Sequence, residues 1–191
     1  MTAGQPINAY THTAIALHWL MAVLILAIFS VGFYMQGLHL SPFKLRLYSW
    51  HKWAGVTAFL LLLVRLLWRV GHRPPDLPAA MPAWQRLSAH AVHDLLYLLM
   101  VAVPLTGWLM SSAKGFQTVY FGLLPIPDLL AKNRELGNLL AAIHRWLNYL
   151  MLALVTSHTA AALKHHLIDR DDILMRMLPW LGRRAMAKGQ S

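Results

Sequence analysis

The sequence predicts an all-α membrane protein, a single bundle of four transmembrane helices, and three observations predict it. Charged residues make up only 13% of the 191 residues and hydrophobic residues 58%, whereas a soluble domain usually carries about 25% charged residues. Four apolar stretches are each long enough to cross a hydrocarbon core of about 30 Å. Clusters of proline, glycine and polar residues separate those stretches and mark the loops. The mean hydropathy, +0.47, agrees with that class.

The first span runs from about residue 13 to 34 and contains no Asp, Glu, Lys or Arg. Residues before it form a short polar arm. No basic residue precedes the span and no small-residue cleavage site follows it, so it reads as a retained helix rather than a secretory signal. The second span covers about 43–70. Its uncharged part, Trp53 to Val64, is short, but Lys52 on one side and Arg65 and Arg69 on the other can reach the two interfaces. Trp50, Trp53 and Trp68 add interfacial anchors. A proline-rich linker, Arg73 to Pro82, cannot be regular helix. Trp84 to Ser88 is placed along the membrane surface. The third span covers about 90–112 and tolerates Pro104 and Gly107 where neighbouring helices re-satisfy the backbone. Residues 113–142 form the longest loop, with a short helix leading into the fourth span at about 143–166. All of it reads as one domain, 1–191.

Four spans put both termini on one side. Of the 17 Lys and Arg, ten fall on the terminal side (Arg65, Arg69, Arg73, Arg86, Lys164, Arg170, Arg176, Arg183, Arg184, Lys188) and seven on the other. The positive-inside rule then places both termini in the cytoplasm. The net charge of +10 belongs to these basic loops rather than to a nucleic-acid surface. With no cysteine, disulfides, iron–sulfur clusters and covalent c-type haem are excluded.

The chemistry-bearing residues are histidines. Eleven are present, and several lie inside apolar spans, where an imidazole is costly without a partner. His144 and His158 are 14 residues apart on the fourth helix, which places them on nearly one face and roughly 21 Å apart along the axis. His51 opens the second span at the depth of His144, and His18 lies near the start of the first span at the depth of His158. Two histidine pairs at two depths suit two bis-histidine haems b, the inner between helices one and four and the outer between helices two and four. His93, on helix three, rivals His18 and His158 for the inner haem; its other reading, shared with His90, is a hydrogen bond to a ligand's surroundings or interfacial anchoring. Arg65, Arg69 and Lys164 near the inner pair, and Lys52 and Arg145 near the outer, are placed to meet propionates or simply to set topology. Gly55 and Gly107 would let a flat macrocycle approach the backbone, though glycines also pack membrane helices. His165 and His166 mark the inner interface or face a quinone head group. His12, His39 and His72 read as solvated.

Several of these segments carry a family resemblance: Ile15-Ala-Leu-His18-Trp19, His51-Lys-Trp-Ala-Gly55, Leu66-Leu-Trp-Arg69, His90-Ala-Val-His93, Pro104-Leu-Thr-Gly107, and His144 through His158 to His165-His166. From about Thr11 to Pro179 the chain resembles the bacterial cytochrome b561 family, above all its small four-helix superoxide-oxidising members. The resemblance implies a di-haem b protein of the inner membrane that oxidises periplasmic superoxide to oxygen and reduces ubiquinone. It implies His18, His51, His144 and His158 as the haem-iron ligands and His165 as a quinone contact. The proline linker and the third loop do not match the family closely. An electron-transfer or anchor subunit of a hydrogenase- or reductase-type enzyme is the alternative. A colourless bundle binding metal or lipid would be a different class again. Lipid, ubiquinone and superoxide are the expected partners, and nucleic acid is not.

Overall fold

A computed structural model describes residues 10–78 and 81–179. Part of the N-terminal arm and the basic tail residues Arg183, Arg184 and Lys188 lie outside the described residues. Four long helices dominate: α1 (His12–Gln36), α2 (Pro42–Gly71), α3 (Ala83–Ala113) and α4 (Arg134–Lys164). All four are long and apolar enough to cross a membrane. Their outward faces carry large apolar side chains such as Leu20, Val23, Phe33, Leu67 and Leu98, as lipid-facing surfaces require.

Local chemistry sets the helix starts. The Thr11 hydroxyl accepts from the Ala14 amide at 3.3 Å, and the Ser41 hydroxyl accepts from Lys44 at 3.2 Å ahead of Pro42 in the first turn. The Asn133 side chain accepts from Leu136 at 3.0 Å, with Glu135 in the first turn of α4. An acidic residue there complements the helix dipole.

Two helices begin earlier than the hydropathy boundaries. The third starts at Ala83 rather than at 90, so Trp84 to Ser88 are its first turns and not a separate surface segment. The fourth starts at Arg134 rather than at 143 and is continuous through His144. The apolar run marks where hydrocarbon begins, whereas the helix begins at its cap, further out.

The third loop holds a small hairpin, β1 (Thr118–Tyr120) against β2 (Leu124–Ile126), with Val119 opposite Pro125. These are the departure from all-α structure. Phe121 and Gly122 have φ of 51° and 73°, the left-handed pair of a type I′ turn. The hairpin is tied to the helices: the Trp53 indole N–H donates to the Val119 carbonyl at 2.6 Å, and that of Trp108 donates to Pro127 at 3.0 Å. Lys52 Nζ donates to the Phe116 carbonyl at 2.8 Å.

After α4 the chain makes a π-helical turn, His165–Asp169, followed by Arg170 at φ 56° and a short helix, α5 (Ile173–Met177). α5 folds back under the bundle. Trp19 Nε1 donates to the Met177 carbonyl at 2.9 Å, and Arg176 donates to the Asp76 carbonyl at 2.6 Å.

Helix packing leaves a gap where the chemistry sits. α1 packs closely along α2, and α3 along α4, but among the described residues neither α1 nor α2 packs closely along α4. The histidine side chains reach across those two openings.

Candidate functional site

The four histidines singled out in the sequence meet in two pairs. At the end of the bundle away from the described chain ends, here called outer, His51 of α2 faces His144 of α4, with ring centres 6.4 Å apart and ring planes at 81°. At the opposite end, here called inner, His18 of α1 faces His158 of α4, with ring centres 6.2 Å apart and planes at 60°. Two imidazoles bound to opposite sides of one metal place their ring centres roughly 6.2 Å apart, from two bonds of roughly 2 Å and about 1.1 Å from each nitrogen to its ring centre. Both pairs match that separation. His93 lies 5.1 Å from His158 with planes at 63°, about 1 Å too close for an axial partner by the same reckoning. It packs edge-on against His158 instead.

The outer imidazoles are held in one tautomer. His51 Nδ1–H donates to the Ile28 carbonyl at 3.2 Å, and His144 Nδ1–H donates to the Val103 carbonyl at 3.0 Å, with the Thr106 hydroxyl 3.3 Å from the same nitrogen. A carbonyl can only accept, so the proton sits on Nδ1 and each Nε2 keeps its lone pair for a metal. No such bond holds either inner imidazole among the described residues, which narrows the expectation of a partner for every ligand to the outer pair.

Each outer ring also rests on a glycine. A Cβ on Gly32 would come within 2.9 Å of His51 Cε1, and one on Gly107 within 3.1 Å of His144 Cε1. Gly107 therefore admits an imidazole to the backbone, rather than a macrocycle as the sequence suggested. Gly32 was missed; its signal was a lone glycine in the charge-free first span. A cavity of about 1090 Å³ opens beside this pair, lined among others by His51, His144, Gly55, Lys52, Lys114 and Arg145. That volume is at the upper end for small-molecule and cofactor sites. His18 and His158 lie outside its lining.

The inner surface is built differently from the sequence expectation. Lys164 is paired with Asp169 at 2.7 Å, so it is engaged rather than offered to a ligand. His165 Nδ1 donates to Asp171 at 2.7 Å and lies 3.0 Å from Asp169. His166 Nδ1 is buried with no partner. Tyr10, just ahead of α1, has its phenol pKa raised by burial, against the lowering influence of Arg69, Arg176 and Arg65. His12, His39 and His90 are exposed. His72 is exposed too, stacked on Trp68 with ring centres 4.0 Å apart.

Comparison with known proteins decides the family. The sequence model described as prokaryotic cytochrome b561 matches residues 9–180. The chain belongs to the prokaryotic cytochrome b561 family. It is 37% identical over 171 residues to Cytochrome b561 homolog 2 of Escherichia coli (strain K12), spanning 85% of this chain and 87% of that protein. It is 30% identical over 176 residues to "Probable superoxide oxidase CybB" of Yersinia pestis, spanning 89% and 96% of the two. Cytochrome b561 homolog 1 of Escherichia coli is 29% identical over 177 residues, 90% of this chain and 98% of that one. Membership in the cytochrome b561 family implies haem b and membrane electron transfer, and the four spans make the chain a multi-pass membrane protein. The imidazole pairs, the glycine-backed rings and the unpacked openings beside α4 are residues and space that fit such a group.

Proposed function

We propose that this cytochrome b561 is a di-haem b oxidoreductase that oxidises superoxide at the periplasmic face and reduces ubiquinone at the cytoplasmic one. His51 and His144 hold the outer haem, His18 and His158 the inner, and both termini lie in the cytoplasm, with the chain in the inner membrane. The observation that carries this reading is the pair of ring separations, 6.4 and 6.2 Å, at two depths along α4. The bound haems supply one-electron redox chemistry between the two surfaces.

The chain's own side chains supply the rest. Lys52, Lys114 and Arg145 line the outer cavity, and a cationic mouth raises encounter rates with a small anion. With His51 and His144 both engaged in holding the group, the anion would be met by the cationic side chains of the cavity. At the other face, Asp171 accepts from His165 Nδ1, which leaves Nε2 available to a quinone carbonyl. Two superoxide anions, one quinone and two protons become two dioxygen molecules and one quinol. The similarity to a relative named as a superoxide oxidase supports the donor.

The two cytochrome b561 homologs carry no donor in their names, which keeps a second reading alive: an electron-transfer subunit for another enzyme. A rapid-mixing experiment separates the two. The purified protein is mixed with superoxide, with and without ubiquinone, and the haem α-band is followed. Fast reduction by superoxide and quinone-dependent re-oxidation are expected. Reduction no faster than spontaneous dismutation allows would leave the subunit reading.

A further inference from the structure

Arg65 and Arg69 lie one turn apart on α2, in its inner half. Arg65 is 14 residues past His51, a rise of roughly 21 Å, the same as from His144 to His158. It therefore stands at the depth of the inner histidine pair. A cation at such depth is costly unless something neutralises it. The chain has seven side-chain carboxylates, all at described positions, and the ion pairs they make leave both of these arginines unmatched.

What the two guanidiniums meet instead is one phenol. Arg65 Nε donates to the Tyr97 oxygen at 3.0 Å and an Arg69 terminal nitrogen donates to it at 3.4 Å. Their central carbons lie 5.8 and 5.4 Å from the Tyr97 ring centre. A neutral oxygen cannot balance two positive charges, yet it draws them together. With both of its acceptor positions used by N–H groups, the phenol still has its own O–H to donate. Two guanidiniums and a hydroxyl converging at one point, with only donors left to offer, describe a receptor for a carboxylate.

We propose that Arg65, Arg69 and Tyr97 form a carboxylate clamp for a propionate of the inner haem, with Tyr97 as the residue that positions both arginines. This rests on the di-haem reading above. It also chooses among the inner cations, since Lys164 is already paired with Asp169. Cations at the propionate favour the reduced haem, so the clamp raises the inner haem's potential and draws electrons toward the cytoplasmic face.

The test is a spectroelectrochemical titration of the wild-type holoprotein and of Tyr97→Phe, Arg65→Gln and Arg69→Gln. Each is placed in bilayer discs of phosphatidylcholine alone and of phosphatidylcholine with phosphatidylglycerol. Tyr97→Phe removes one oxygen and keeps the ring, so it remains informative if an arginine variant fails to assemble. The expected result is two haems per chain and unchanged bis-imidazole electron paramagnetic resonance signals. The inner midpoint should shift negative in all three variants, least in Tyr97→Phe, and the outer midpoint should stay in place. The shift should be the same in both disc types. Two haems with an unmoved inner midpoint in Tyr97→Phe and Arg65→Gln would overturn the clamp alone. A shift confined to the phosphatidylglycerol discs would identify the anion as a lipid phosphate and also overturn it. Fewer than two haems in the wild type would refute the di-haem reading itself, and the clamp with it.

Discussion

Gly32→Ala tests the outer pair through a residue that supplies no ligand of its own. The added methyl would sit 2.9 Å from His51 Cε1, whereas carbon atoms in ordinary contact are about 3.5–4.0 Å apart. The imidazole must then retreat by roughly 0.6 Å or more to restore contact. Metal–ligand distances tolerate about 0.2 Å, so the ring cannot retreat and remain bound. Gly107→Ala asks less, because its methyl would stop 3.1 Å from His144 Cε1, a retreat of roughly 0.4 Å at the least. Packing alone predicts the opposite sign: alanine favours a helix interior over glycine by about 1 kcal/mol. Gly71→Ala, with nothing within 4 Å of the new methyl, serves as the control. Haem content by pyridine haemochromogen, combined with a redox-resolved α-band, is the assay. Gly32→Ala should retain the inner haem and lose most of the outer, Gly107→Ala should lose less, and the control should keep both. Full outer-haem occupancy with unchanged ligation in Gly32→Ala would refute the argument that the glycine exists to seat His51.

Three further outcomes are expected. His144→Ala should lose the outer haem and keep the inner, whereas His93→Ala should keep both; the reverse pattern in the haem assay would exchange the ligand assignments. Arg145→Glu should slow haem reduction by superoxide several-fold at low ionic strength and flatten its salt dependence, since steering fades over a Debye length of about 10 Å at 0.1 M salt. An unchanged low-salt rate in rapid mixing would remove steering. His165→Ala should leave both haem spectra and reduction by superoxide intact while slowing re-oxidation by quinone about a hundredfold, the low end of what general acid catalysis supplies. Wild-type re-oxidation in that variant would remove His165 from the quinone site.

How much of this was legible in the sequence depends on the range of the interaction. The membrane spans were legible because hydrocarbon excludes charge over a full crossing, and α1 has none. The starts of α3 and α4 were not, because their first turns lie outside the apolar runs and polarity there resembles a loop. For α4 the cap was nonetheless written in Asn133 and Glu135. The depth matching of the histidines was legible because helical rise is fixed. Their immediate supports were not: Ile28, Gly32 and Val103 come from neighbouring helices, and nothing in a single sequence pairs Gly32 with His51. The hairpin escaped for the same reason. Strands of three residues leave little local pattern, and this one is anchored by indoles of Trp53 and Trp108 from two different helices. Tyr97 escaped because its meaning lies in the approach of α3 to α2.

The division of labour among the helices follows from one number. Fourteen residues separate His144 from His158, and at 3.6 residues per turn that is about 40° short of four full turns. The two imidazoles of α4 thus share a broad face without pointing in one direction. Neighbours around a helix stand at different angles, so a small rotation is enough for one ring to address α2 and the other α1, as the pairs His51–His144 and His18–His158 do. Had the spacing been a whole number of turns, both rings would face one partner helix, and that helix would have to supply both opposing histidines. Instead α1 and α2, which pack on each other, each supply one, while α3 packs along α4 from the side of Gly107 and His93. In the proposed di-haem reading, a single helix carrying two ligands would be the common rail between the two membrane faces. The same rise also puts Arg65 on α2 at the depth of His158. The periodicity that spaces the two imidazoles therefore also delivers positive charge to the depth of His158, where the proposed carboxylate would need it.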